Sequence, residues 1–215
     1  MKLNSLHLSC PPSPTLRRAF NGVCEVVAFR YQYSLPGNYE IGEFRTIAIR
    51  VVTPKALRED ERQLRVLSVS VAFDFSAFDA LNDAEKEQTV LLLLHQRLLQ
   101  VARDHNFEIT PLDEAFAKAS AMNKNFLFMS KRKASFIAPY RSAQLAFSCD
   151  GGEVYFFAQV KTARGATVRT LLLGKLLTGP SVLGYLIEDF LWLNENQLCL
   201  RFTQAAKADD FVTSI

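Results

Sequence analysis

Hydrophobic residues alternate with other side chains through the first third of the chain. Val23, Val27, Phe29, Tyr31 and Tyr33 fall on one side, Ile47, Ile49 and Val51 on a second, and Leu67, Val69, Val71 and Phe73 on a third. A period of two belongs to a half-buried strand, so three strands are predicted here. Pro36-Gly37-Asn38 lies in the first gap and Pro54 with the charged run Arg58 to Arg62 in the next, which predicts hairpin-type antiparallel connections.

From Asn82 the period lengthens to about 3.6. Asn82 caps a helix while Glu85, three residues on, reaches back in a capping-box arrangement. Leu91, Leu94, Leu98, Val101 and Ala102 then form one stripe. Leu92, Leu93 and Leu99 widen it, so this central helix is expected to pack against a sheet and a further element. Thr110-Pro111 with Asp113 starts a second helix, because proline loses nothing in the first turn and the acid suits the positive end of the dipole. Leu112, Ala115, Phe116, Ala119 and Met122 follow at helical spacing.

After Asn123 the pattern returns to strand. Asp150-Gly151-Gly152 stands between Leu145, Phe147 and Val154, Phe156, Ala158, and such a turn accepts the positive φ of a tight hairpin. Arg164-Gly165 turns into Thr167 to Leu173, and Asn194-Glu195-Asn196 into Leu198, Leu200 and Phe202. Val182 to Leu193 is read as strand, although Leu183, Leu186, Ile187, Phe190 and Leu193 also fit a helical face. The order is β block, helix pair, β block. It predicts an α+β fold of antiparallel sheet or sheets, with the central helix pair packed on one face, as a single domain over residues 1–215. Parallel α/β is disfavoured, because strands do not alternate with helices.

Composition agrees with a packed core: 49% of the 215 residues are hydrophobic and 22% charged. Residues Met1 to Phe20 do not read as a secretory signal, and the longest apolar run, Val90 to Leu94, is too short to span a bilayer, so a cytoplasmic protein without a membrane partner is expected. Cys10, Cys24, Cys149 and Cys199 are far apart with no CxxC pair, the usage of buried free thiols.

Charge changes the picture more. From Lys118 to Lys175 ten basic residues face only Asp150 and Glu153, a segment charge of +8 within a chain of net +3. One explanation is a solvated edge, since lysines on edge strands oppose aggregation. The other is an electrostatic footprint for an acidic partner, with Lys131, Arg132, Lys133, Arg141, Lys161 and Arg164 as candidate partner-binding residues. Phe126, Phe128, Phe136 and Tyr140 interleave with this run, as a base-stacking surface or as the core face of a strand.

Catalytic signatures are few. Neither GxGxxG nor GxxxxGK[ST] occurs, and no cofactor is implied. Of His7, His95 and His105, only His7 has a cysteine near it, Cys10, without the second ligand pair that zinc requires, so no metal site is expected. His95, at the edge of the central stripe, would as a general base need a nucleophile and an orienting partner; a hydrogen-bonded structural histidine is the simpler expectation. The acid pairs Asp74/Asp79 and Glu188/Asp189 read as structural or contact residues, since neighbours in a strand point to opposite faces.

The segment FDFSAFDALNDAEKEQTVLLLLHQRLLQVARDHNFEITPLDEAFAKA (Phe73 to Ala119) and the later GYLIEDFLWLNENQLCL resemble cytosolic immunity proteins of bacterial polymorphic-toxin and contact-dependent growth inhibition systems. That resemblance implies a non-catalytic inhibitor that neutralises a cognate protein toxin by direct complex formation. A nucleic-acid-binding module using residues 118–175, and an enzyme or small-ligand binder around His95 or Asp74, are the alternatives.

Overall fold

A computed structural model describes residues 1–10, 16–123, 125–136, 141–150, 153–162 and 164–215. The chain divides into two compact units, Met1–Asn123 and Lys124–Ile215. No linker composition marks this boundary, because one helix ends at Ala121 and the next strand begins at Phe128.

The first unit contains β1 (Ser5–Ser9), α1 (Leu16–Ser34), β2 (Thr46–Val52), a 3-10 turn at Pro54–Ala56, β3 (Glu61–Gln63), β4 (Val66–Ala72), α2 (Phe75–Asp79), α3 (Asp83–His105) and α4 (Thr110–Ala121). Its sheet runs β1-β2-β4-β3, with β1/β2 and β2/β4 parallel and only β3/β4 antiparallel. Two expectations are corrected here. The sheet beside the helix pair is mixed rather than antiparallel, and the predicted strand Val23 to Tyr33 is the interior of α1.

The error has a physical origin. Valine and aromatic residues favour strands locally, and Val27 and Tyr31 satisfy both periods. The residues of α1 in the hydrophobic core are Phe20, Cys24, Val27, Ala28 and Tyr31, which share one helical face, whereas Tyr33 is exposed and Val23 and Phe29 only half-buried. A parallel β1/β2 pair also requires a long crossover between its strands, which α1 supplies.

One core holds this unit together. Leu6 and Leu8 of β1, Ile47, Ile49 and Val51 of β2, and Leu67 and Val69 of β4 cover one sheet face, and Phe20, Tyr31, Leu94, Leu98, Leu112 and Ala115 close over it. Helix α3 begins as expected: Asn82 Oδ1 accepts from the Glu85 N–H at 3.0 Å and Glu85 Oε2 from the Asn82 N–H at 2.9 Å. It stops at Asn106, whose φ of 57° is the left-handed conformation that asparagine tolerates.

The second unit contains β5 (Phe128–Phe136), β6 (Arg141–Asp150), β7 (Glu153–Lys161), β8 (Thr167–Leu177), a 3-10 turn at Pro180–Val182, α5 (Leu183–Leu186), β9 (Ile187–Asn194), β10 (Gln197–Phe202), a 3-10 turn at Gln204–Ala206 and β11 (Phe211–Ser214). It forms two antiparallel sheets, β5-β6-β7-β8 and β11-β10-β9. The β6/β7 hairpin has the expected register, with Leu145 opposite Ala158, Phe147 opposite Phe156 and Asp150 opposite Glu153. Gly151 and Gly152 of its turn lie outside the described residues. Gly165 turns the chain into β8 at φ +81°, a conformation glycine adopts without strain. The ambiguous segment Val182 to Leu193 divides: residues to Leu186 are helical, and Ile187 starts a strand.

Both units together give an α+β fold. Among the described residues, no helix is long and apolar enough to cross a membrane.

Candidate functional site

Strand register, rather than sequence proximity, decides which basic residues meet. Lys133 on β5 faces Gln144 on β6, Gln144 faces Gln159 on β7, and Gln159 faces Thr170 on β8. One row outward, Ser142 faces Lys161 and Lys161 faces Thr167. The end of β5, the start of β6, the end of β7 and the start of β8 therefore share one end of the four-stranded sheet. This gathers Lys133, Arg141, Lys161, Arg164 and Arg169 there, and Asp150 and Glu153 sit at the opposite end. Lys133 and Thr170 are three strand spacings apart, about 14 Å.

The cations at this end differ in what they offer. Lys131, Lys133, Arg164 and Arg169 are exposed, and among the described residues they have no ion-pair partner. Lys161 is half-buried and donates to Gln144 Oε1 at 2.6 Å. Arg132 is turned inward: Nη1 donates to the Glu188 carbonyl at 2.8 Å and Nη2 to the Ile187 carbonyl at 2.7 Å, tying β5 to β9. That contact coincides with a register irregularity between Met129 and Lys133, where the N–H of Arg132 also reaches Ser130 Oγ. Lys175 donates to Glu153 at 2.7 Å, and bonds from Lys175 and Tyr155 hold the Glu153 carboxyl below the usual carboxylate range. Lys118 belongs to the first unit, where it pairs with Glu114. Lys124, Tyr140 and the side chains of Phe136 and Arg141 lie outside the described residues. Phe128 is buried against Phe147, with ring centroids 5.4 Å apart, and so faces a core rather than a solvent-borne base.

A second constellation lies in the first unit. Tyr31 Oη donates to the Leu112 carbonyl at 2.9 Å and lies 2.8 Å from His95 Nδ1. With its proton spent on the carbonyl, the hydroxyl accepts from Nδ1–H. His95 Nε2 faces Asp113 Oδ1 at 3.4 Å, and the imidazole stacks on Phe116 with centroids 4.3 Å apart. Both ring nitrogens face polar groups of the protein, and burial pushes the Tyr31 hydroxyl well above its ordinary value. The arrangement joins α1, α3 and α4. The sequence singles out His95 but favours a strand at Tyr31; the helical spacing from Phe20 through Cys24 and Val27 is the available signal.

Burial pulls the His95 imidazole below the ordinary histidine value, partly offset by Asp113. The unfolded chain therefore binds a proton more readily than the folded one near its unfolded pKa of about 6.5. The resulting stability is fully present above that value and is lost as pH falls from it toward the lower folded pKa. We expect urea-unfolding free energies to decline from pH 7 to pH 5, and His95→Gln to flatten that decline; superimposable pH profiles would show that His95 does not carry it.

The other candidates resolve as supports. Asp74 caps α2, accepting from the Ser76 hydroxyl and the Ser76 and Ala77 amides, which lowers its pKa. Glu188 and Asp189 are both exposed on β9. All four cysteines are free and buried, and burial pushes the Cys24 thiol far up. His7 is exposed and Cys10 buried, and among the described residues no group of His, Cys, Asp and Glu is placed to hold a metal ion. A depression of about 310 Å³ lies between Lys2, Leu3, Asn4, Gln32, Leu35 and Tyr39. Its amide, Gln32, is already committed to the Leu6 N–H and the Asn4 carbonyl. No family model matches the sequence, no curated protein matches it, and no solved structure matches the fold.

Proposed function

We propose that this protein is a protein-binding inhibitor of the immunity type, which neutralises a cognate bacterial toxin by direct complex formation and carries out no catalysis. The observation that supports it is the gathering of exposed cations, Lys133, Arg164 and Arg169 with Lys131 beside them, at one end of the sheet β5-β6-β7-β8. Charges clustered on a rigid sheet steer an acidic protein partner and speed its encounter. The burial of Phe128 favours a protein over a single-stranded nucleic acid, because it removes one of the aromatics that would stack on bases.

The test separates the steering cations from the structural one. Lys131→Glu with Lys133→Glu is expected to slow association with the partner roughly tenfold at low salt and to leave the melting temperature unchanged, since exposed charges contribute little to stability. Arg132→Ala is expected to lower the melting temperature instead, by losing two charge-assisted hydrogen bonds. Association rates across a salt series, with the cognate toxin as partner, measure the first effect. Binding of random-sequence RNA or DNA that weakens steeply with salt, and no association with a protein, would favour the nucleic-acid alternative.

A further inference from the structure

We propose that β8 is the docking edge for an extended acidic segment of the partner, which adds to the sheet β5-β6-β7-β8 as a fifth strand. This rests on the inhibitor reading and specifies how the partner is held.

The two ends of the sheet are treated differently by the fold. At β5 the edge is closed: Arg132 donates to two carbonyls of β9, and Trp192 Nε1 reaches the Ala134 carbonyl at 3.3 Å. At the other edge β8 is terminal and, among the described residues, pairs with β7 alone; Phe211 of β11 packs against its Gly174, and most of its residues are exposed. A terminal strand presents a row of backbone N–H and C=O groups ready to template another chain, and natural sheets blunt such edges with proline, charged side chains or bulges. Strand β8 (TVRTLLLGKLL) has no proline, and its one lysine is tied to Glu153. Register irregularities at Phe156/Phe157 and Val160/Lys161 leave two regular runs, Arg169–Leu172 and Gly174–Leu177.

The side chains on this strand indicate what it would hold. Val168, Leu172 and Leu177 are 62%, 57% and 74% exposed. Leu172 stands opposite Phe157 and Leu177 opposite Glu153, on the face that also carries Tyr155, so an added strand meets apolar area on that face. The free cations beside it are Arg164 and Arg169, and β8 itself bears no acid. A second copy fits poorly: antiparallel self-pairing centred on Leu172 sets Arg169 against Lys175, and centred on Arg169 sets arginine against arginine. An extended segment that alternates apolar and acidic residues complements the edge in both hydrogen bonding and charge.

The experiment uses the full chain and three nine-residue peptides: valine alternating with aspartate or glutamate, the same with lysine, and the acidic peptide with three prolines. Fluorescence anisotropy reads affinity and amide hydrogen exchange reads β8. The acidic peptide should bind at least tenfold more tightly than the lysine peptide, protect amides in 167–177 and lose that protection in the proline form. Arg164→Glu with Arg169→Glu, two exposed positions, should weaken the acidic peptide tenfold or more with the melting temperature unchanged. Equal affinity for the lysine peptide, protection elsewhere with β8 unprotected, or β8 protection that grows with protein concentration in the absence of peptide would each overturn the proposal. Toxin association that still depends on Lys131 and Lys133, with β8 unprotected in that complex, sinks strand addition alone; loss of any association with a protein sinks the inhibitor reading as well.

Discussion

Phe156→Ala is expected to destabilise the second unit by about 3–5 kcal/mol and to leave the amides of the first unit protected. Phe156 is fully buried, and its ring lies 5.7 Å from Phe202 and 6.1 Å from Phe211, which themselves meet edge to face at 4.9 Å. Phe211 also occupies the space beside Gly174, where a Cβ would lie 2.7 Å from its ring, so β8 and β11 are packed too closely to collapse into the vacated volume. The core of the first unit is complete without any of these residues, since its members run from Leu3 to Ala119. Hydrogen exchange resolved by residue, with limited proteolysis of the variant, checks both halves: cleavage is expected within Lys124–Ile215 and a protected fragment ending near Asn123. Uniform loss of protection over both units would show one cooperative unfolding unit, as a single domain requires.

The second large effect concerns a charge inside the first unit. Arg30 of α1 is buried, and its guanidinium meets Glu87 of α3 through Nη1–Oε2 at 2.5 Å and Nη2–Oε1 at 3.5 Å. Its Nε has no hydrogen-bond partner among the described residues, so Glu87 carries nearly all of the compensation. Glu87→Leu leaves a desolvated cation without its counter-ion and is expected to cost about 3 kcal/mol, the lower end for a broken buried pair because Glu87 is partly exposed. Arg30→Met with Glu87→Leu should recover most of that loss, since an apolar pair of similar volume avoids desolvating either ion. Urea denaturation of the two single variants and the double variant gives the coupling directly. A double variant no more stable than Glu87→Leu alone would mean that packing, and not charge, holds this contact.

Asn82 and Glu85 lie within one turn, and their capping box is legible because both partners and the helix they start are local. The β6/β7 hairpin is legible for the same reason: its turn, its alternation and its register lie within 21 consecutive residues, Arg141 to Lys161. The strands at Ile47, Ile49, Val51 and Leu67, Val69 likewise follow from alternation alone, and the stripe Leu91 to Ala102 from helical spacing.

Helix α1 is different, because its valines and aromatics favour strand locally and only burial against β1, α3 and α4 selects the helical period. The inward turn of Arg132 depends on carbonyls 55 and 56 residues away, so in the sequence it is indistinguishable from its neighbours Lys131 and Lys133. Tyr31 and His95 meet across 64 residues in the same way. The α+β class, the local starts, stops and turns, and the list of basic residues follow from the order of residues alone. The parallel pairing of β1, β2 and β4, the division at Asn123, and which cations face outward were decided by tertiary structure, because each depends on a partner that local propensity and spacing do not specify.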